Sequence, residues 1–222
     1  MKSQIISTVF LTILTLLTME SQAQTFKTIE NKDLKLEVYN ASENSFGVAS
    51  VIVSGKKDAV LIDTQFTLAD AEKVAQEIKK SGKKLTTIFV SHGDPDFYFG
   101  LEVFKKYFPE VTAYATPATI EHIKATAQKK LDVWGERLGK NITSNVILPQ
   151  VLKGNSIELE GHHLEIVGLQ EFPSQTFVWI PSIKAVVGGI NVFGTTFHLW
   201  MADAQTTEAR KNWISVLDKI TA

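Results

Sequence analysis

Apolar and polar residues alternate along Leu34-Lys35-Leu36-Glu37-Val38-Tyr39. A period of two is the mark of a strand with one buried face. Val48 to Val53 follows as a second strand, and Ser54-Gly55-Lys56-Lys57-Asp58 as the turn after it. Ala59-Val60-Leu61-Ile62 returns, so these two runs predict a β-hairpin. The period then changes. Leu68, Ala71, Val74, Ala75 and Ile78 recur at helical spacing. Thr67, with Asp70 three residues on, makes a cap for this helix, and Ser81-Gly82 ends it. The apolar run Leu85 to Val90 is a buried strand, and Leu101 to Phe108 a helix with one apolar face.

The order strand, helix, strand predicts a βαβ unit, with the loop after Val90 at a strand's carboxyl end. Val111 to Ala115 adds a short strand. A long helix opens at Thr116-Pro117, where proline's missing N–H costs least, and runs toward Leu131 and Trp134. Asn145 to Leu148, Ser156 to Leu159 and His163 to Val167 read as strands of a second sheet. Lys153-Gly154-Asn155 and Glu160-Gly161-His162 are the turns between them. Thr176 to Pro181 and Ala185 to Ile190 form the next strand pair. A last helix begins near Thr206 and shows Trp213, Val216, Leu217 and Ile220 as its apolar residues. The fold class is α/β.

The N-terminus has a different character. Lys2 precedes a mostly apolar run from Ile5 to Leu17, too short for a comfortable membrane span. Ser21-Gln22-Ala23 places small residues where a signal peptidase reads them. Residues 1–23 are expected to be a signal peptide and 24–222 one exported domain, periplasmic or secreted, with no membrane insertion after cleavage. The 222 residues include no cysteine, so that domain rests on its core without disulfides, and metal ligation falls to His, Asp and Glu. A net charge of −1 provides no basic field for nucleic acid, so the expected partner is a small molecule. Oligomeric state is left open.

Chemistry concentrates in Ser91-His92-Gly93-Asp94-Pro95-Asp96-Phe97-Tyr98-Phe99-Gly100. One histidine and two aspartates stand at alternate positions on a strand-to-helix loop, and all three can ligate a hard or borderline metal. The stretch resembles the metal loop of the metallo-β-lactamase superfamily, H-x-H-x-D-H after a strand. Here it reads H-x-D-x-D-F, with Asp94 and Phe97 in place of histidines. Ile62-Asp63-Thr64 and the pair Thr176–Pro181 and Val186–Gly189 also resemble that family. The resemblance implies an αββα sandwich, here expected to lack its last C-terminal elements.

It further implies a first metal site of His92, Asp94 and Glu171, with Asp63 supporting the loop without ligating. The second site is depleted. Asp96 remains, Phe97 has no lone pair, Ile190 stands where a bridging acid is expected, and no C-terminal histidine is found. The expected cofactor is therefore one divalent metal, zinc first, with iron or manganese also suited. Asp96 would orient or deprotonate the attacking water, and His198 would orient substrate or act in acid–base chemistry. His122, His162 and His163 read as surface or turn residues. Phe97, Tyr98, Phe99, Phe172, Phe193, Phe197 and Trp200 are candidates to line an apolar cleft. The implied activity is hydrolysis of an ester, lactone or lactam with at most one metal. The alternative is a degenerate, metal-free member that binds a ligand or partner.

Overall fold

The structure is a computed structural model that describes residues 26–31, 33–193 and 200–221. The expected signal peptide, Phe197 and His198 lie outside the described residues.

Two sheets stack face to face. The first has seven strands in chain order: β1 (Lys27–Asn31), β2 (Leu34–Asn40), β3 (Ala49–Ser54), β4 (Asp58–Ile62), β5 (Lys84–Phe89), β6 (Thr112–Ala115) and β7 (Gln150–Val151). Pairing is antiparallel from β1 to β4 and parallel from β4 to β7. The switch follows from the connections. Short turns return the chain antiparallel, whereas helix α1 (Leu68–Ser81) carries it back for a parallel neighbour. The second sheet is antiparallel, in the order β11 (Ala185–Val187), β10 (Phe177–Ile180), β9 (His162–Val167) and β8 (Ser156–Leu159).

Strand alternation divides the core. Val51, Val53, Val60 and Ile62 face the second sheet and meet Leu164, Ile166, Val178 and Ile180. Their neighbours Ile52, Leu61 and Ile88 face the other way, against Val74 and Ile78 of α1 and Leu101 and Phe104 of α3 (Leu101–Tyr107). Ile120 and Ile123 of α4 (Pro117–Leu138) join that layer. Outside the second sheet, Val216 of α5 (Thr207–Thr221) packs with Phe172 and Phe177. The layers are helix, sheet, sheet, helix. Thr67 caps α1 as expected and Thr116 caps α4, each accepting a backbone N–H three residues on.

Asn145 to Leu148 is not a strand. Glu102 ties down the two residues just ahead of it: its carboxylate accepts the Thr143 hydroxyl (2.6 Å), the Ser144 N–H (2.9 Å) and the Ser144 hydroxyl (2.9 Å). The pairing strand begins at Gln150 and belongs to the first sheet. The β8–β9 turn is tighter than the sequence suggests, with Glu160 and Gly161 both left-handed and His162 already paired with Leu159. His162 and His163 point to opposite faces, and His162 reaches Ser182 at 3.1 Å.

Candidate active-site cleft

Three chain segments meet above the carboxyl ends of β4 and β5. Asp63 follows β4 and is wholly buried. Its carboxylate accepts the Ser91 N–H (2.8 Å) and the Ser91 hydroxyl (2.7 Å). The Ser91 oxygen in turn accepts the Gly189 N–H (2.9 Å), and the Ser91 carbonyl accepts the Thr176 hydroxyl (3.2 Å). This network ties the His92 loop to the second sheet. Burial raises the Asp63 carboxyl to about 7, against the opposing effect of the Ser91 and Gly189 donors.

His92 is buried beside the Phe97 ring, and its Nδ1 accepts the Asp94 N–H (3.2 Å). Burial lowers the imidazole to about 4, so the ring is neutral at neutral pH. The Asp94 carboxylate is the centre of the cluster. Oδ2 lies 3.8 Å from His92 Nδ1, and Oδ1 lies 3.6 Å from His122 Nε2 and accepts a hydrogen bond from the Lys130 ammonium. Burial pushes Asp94 up, but His122, His92 and Lys130 together hold its carboxyl below the usual range. Asp96, in the short helix α2 (Pro95–Tyr98), is raised to about 8, first by burial and then by the charge of Asp94. It is mostly protonated at neutral pH and unsuited there to take a proton from water.

His122 and Lys130 are functional candidates that sequence reasoning missed. Both stand on α4. His122, Thr126, Lys130 and Trp134 recur every four residues and all line the cleft. That spacing keeps them near one helix face. Gly93 makes the approach possible. A Cβ there would lie 2.6 Å from His122 Cδ2, so only glycine lets the imidazole close on the loop.

Glu171 does not join this cluster. The Phe172 ring sits over Gly168, where a Cβ would be 2.1 Å away, and stacks on Phe177 at 6.4 Å. With Phe172 turned inward, Glu171 is turned to the surface, where Lys219 of α5 pairs with it and holds its carboxyl low. Among the described residues, no three His, Asp or Glu side chains are arranged to hold a metal ion. The expected donor set therefore does not fit a divalent ion as arranged. Asp94 is already neutralised by Lys130, and Glu171 by Lys219.

Around this polar floor lies a cleft of about 890 Å³. Its walls are apolar and include Val38, Phe46, Phe97, Trp134, Ile190 and Phe193. Of the aromatic residues expected to line it, Phe97, Phe193 and Trp200 do. Tyr98 and Phe99 are core residues, and Phe172 packs under α5. Asn191 also borders the cleft, and both its side-chain oxygen and nitrogen are buried without a partner. A second cavity of about 150 Å³ is lined by His92, Gly93, Thr119, His122, Ser174 and Gln175.

Comparison with known proteins agrees with this architecture. Solved structures with the same fold include a metallo-beta-lactamase from Pontibacter korlensis, with a TM-score of 0.62 and 18% identity over 88% of this chain and 86% of that one. The DIM-1 metallo-beta-lactamase gives 0.58 and 18% over 89% and 85%. VMB-1 gives 0.62 and 16% over 89% and 85%. At such identities the likeness is one of fold. No curated protein matches the sequence. The model of the Metallo-beta-lactamase superfamily matches residues 44–178, more than half of the sequence and the whole span from the β2–β3 loop into β10; the chain belongs to that superfamily.

Proposed function

We propose that the protein binds a small, largely apolar molecule in the cleft and sets its polar group against the Asp94–Lys130 pair, without a resident divalent ion. Superfamily members generally bind divalent metals, usually zinc. The observation that carries a different reading here is the lysine ammonium on Asp94. A carboxylate paired with an ammonium is already compensated, and a divalent ion brought to it meets that positive charge at short range. Apolar walls supply the binding energy and the few polar groups fix orientation, the usual division in a small-molecule site. His122 and Lys130 supply donors for a ligand carbonyl or carboxylate. The raised Asp96 carboxyl supplies another at neutral pH.

A second reading is favoured by the two histidines flanking Asp94. In it, one metal, zinc first and iron or manganese next, serves hydrolysis of an ester, lactone or lactam. His92 and Asp94 would be ligands. Asp96 and His198 would position water and substrate, and Asp63 would hold the loop. Glu171 would first have to leave Lys219. The N-terminal segment supports export in either reading, checked by whether the mature protein in the periplasm or medium begins at Gln24.

The test is metal content by elemental mass spectrometry on the purified mature protein, beside His92→Ala and Glu171→Ala. Metal below a tenth of an equivalent, with thermal stabilisation by apolar esters, lactones or their acids, is the expected result. About one equivalent, lost in His92→Ala, would overturn the proposal in favour of the single-metal hydrolase.

A further inference from the structure

We propose that Asn191 sets the specificity of the cleft by reading a carboxamide on the bound molecule, so that the preferred ligand is an apolar molecule carrying a primary amide. This rests on the cleft reading above and adds a second polar point to it, besides Asp94 and Lys130.

The side chain of Asn191 carries the inference. Asn191 is 4% exposed, and neither its Oδ1 nor its Nδ2 has a hydrogen-bond partner. A buried amide without partners is destabilising, and such groups are few in folded proteins. Its chain neighbours Ile190 and Val192 are apolar, so a leucine would suit the unliganded fold better. The unmet amide stands at the border of the 890 Å³ cleft, on the wall that also holds Gly188, Gly189 and Ile190. An unmet donor beside an unmet acceptor, on a cleft of ligand size, is a recognition pair.

The surrounding backbone holds this amide in place. Trp213 of α5 donates its indole N–H to the Asn191 carbonyl (3.0 Å). Gly188 and Gly189 are left-handed, with φ of 71° and 76°, and the Gly189 N–H is fixed on the Ser91 hydroxyl (2.9 Å). A Cβ on Gly189 would stand 3.1 Å from Asn191 Oδ1, so the bare glycine leaves that side of the oxygen uncovered.

The chemistry follows from the donor and acceptor count. A carboxamide is matched by the same two groups reversed and side by side. A primary amide supplies them: its carbonyl accepts from Nδ2 and its N–H donates to Oδ1. An ester, a lactone or an N,N-disubstituted amide offers the acceptor alone and leaves Oδ1 unmet. A site built for an N–H discriminates strongly against the analogue that lacks it. A carboxylate has no donor either, and its place is at the Lys130 ammonium.

Calorimetric titration of the mature protein with octanamide, methyl octanoate, N,N-dimethyloctanamide and octanoate tests this. The four share one apolar chain and differ in the head group. Wild type should bind octanamide at least tenfold more tightly than the ester or the dimethylamide, a difference of about 1.4 kcal/mol. In Asn191→Leu that advantage should fall below threefold. Asn191→Ala carries the same expectation should the leucine variant not fold. A purely structural asparagine would not move this ratio. Equal affinity for octanamide and methyl octanoate in wild type would overturn the inference, as would an advantage that survives both variants. Binding of octanoate without octanamide would overturn it and leave the cleft reading standing, whereas no binding by any of the four would overturn both.

Discussion

Asp63→Asn should make the protein more stable at neutral pH and little changed near pH 4. Asp63 is wholly buried, and its carboxyl is raised from an ordinary 3.8 to about 7, chiefly by burial. Between those values the folded protein holds a proton that the unfolded chain has lost. Folded-state proton excess makes stability fall as pH rises, so the loss begins near pH 4 and levels off above about pH 7. At about 1.4 kcal/mol per pH unit, the full loss has a ceiling of about 4 kcal/mol. Asparagine reproduces the protonated form. Its oxygen accepts the Ser91 N–H, and its amide N–H donates to the Ser91 oxygen, which already accepts from Gly189. It also suits the backbone, since Asp63 has a φ of 62° and asparagine tolerates that left-handed conformation well. Urea unfolding of both proteins at pH 4.5, 6 and 7.5 measures the difference. His92, neutral down to about pH 4 by burial, removes stability as pH falls from about 6.5, but it does so in both proteins and cancels. A difference that stays constant across pH, or that turns against the variant at pH 7.5, would refute a neutral Asp63 in the folded state.

Three other substitutions probe the same architecture. Gly93→Ala places a methyl 2.6 Å from His122 Cδ2; it should cost about 1–3 kcal/mol as overpacking and shift the His122 ring resonances, and unshifted resonances would mean the ring does not rest on the loop. Asn191→Leu removes a buried carboxamide that has no partner while keeping the backbone carbonyl that accepts from Trp213 Nε1 (3.0 Å); a gain of about 1–3 kcal/mol in urea is expected, and a loss of stability would mean that the amide is satisfied in solution. Glu160→Ala deletes the carboxylate that accepts the backbone N–H groups of Lys56 (2.8 Å), Lys57 (2.6 Å) and Asp58 (2.7 Å); hydrogen exchange at these three amides should quicken at least tenfold, with unchanged exchange the contrary result.

The layers of the fold were legible because each strand carries its own statement of two-sidedness. Val51, Val53, Val60 and Ile62 alternate with Ile52 and Leu61, and that period assigns each side chain to one of two cores before any partner is known. The loop of His92, Asp94 and Asp96 was legible for a related reason: it follows a buried strand in a βαβ unit, and such loops gather at one sheet edge. What failed to read was the direction of groups whose neighbours are distant in sequence. The family resemblance puts Glu171 at the metal, but its orientation is decided by Phe172 closing over Gly168 and by Lys219, 48 residues away. Asn145 to Leu148 looked like a strand, yet Glu102, more than 40 residues earlier, binds Thr143 and Ser144 just ahead of it.

His122 and Lys130 failed to read in a more instructive way. The four-residue recurrence of His122, Thr126, Lys130 and Trp134 was present in the sequence, but on a long helix such a stripe marks only a face. Whether it meets solvent, core or a loop depends on how the helix lies on the sheet. Ile120 and Ile123 set that by packing into the helical layer, and the Cβ-less Gly93 opens the contact. A polar stripe two turns long that includes both a histidine and a lysine, on the helix following a loop with paired aspartates, is the pattern that would have identified Lys130 beforehand. Its consequence is chemical. The substitution of aspartate for histidine at position 94 looks like a damaged metal ligand when the loop is read alone. Beside Lys130 it is one half of an ion pair, because a neutral imidazole at 94 would leave the ammonium without its counter-charge. The two positions are therefore coupled. Asp94→His with Lys130 kept should lower the melting temperature, and adding Lys130→Met should recover it, whereas an unchanged melting temperature in Asp94→His would mean that the pair is not coupled.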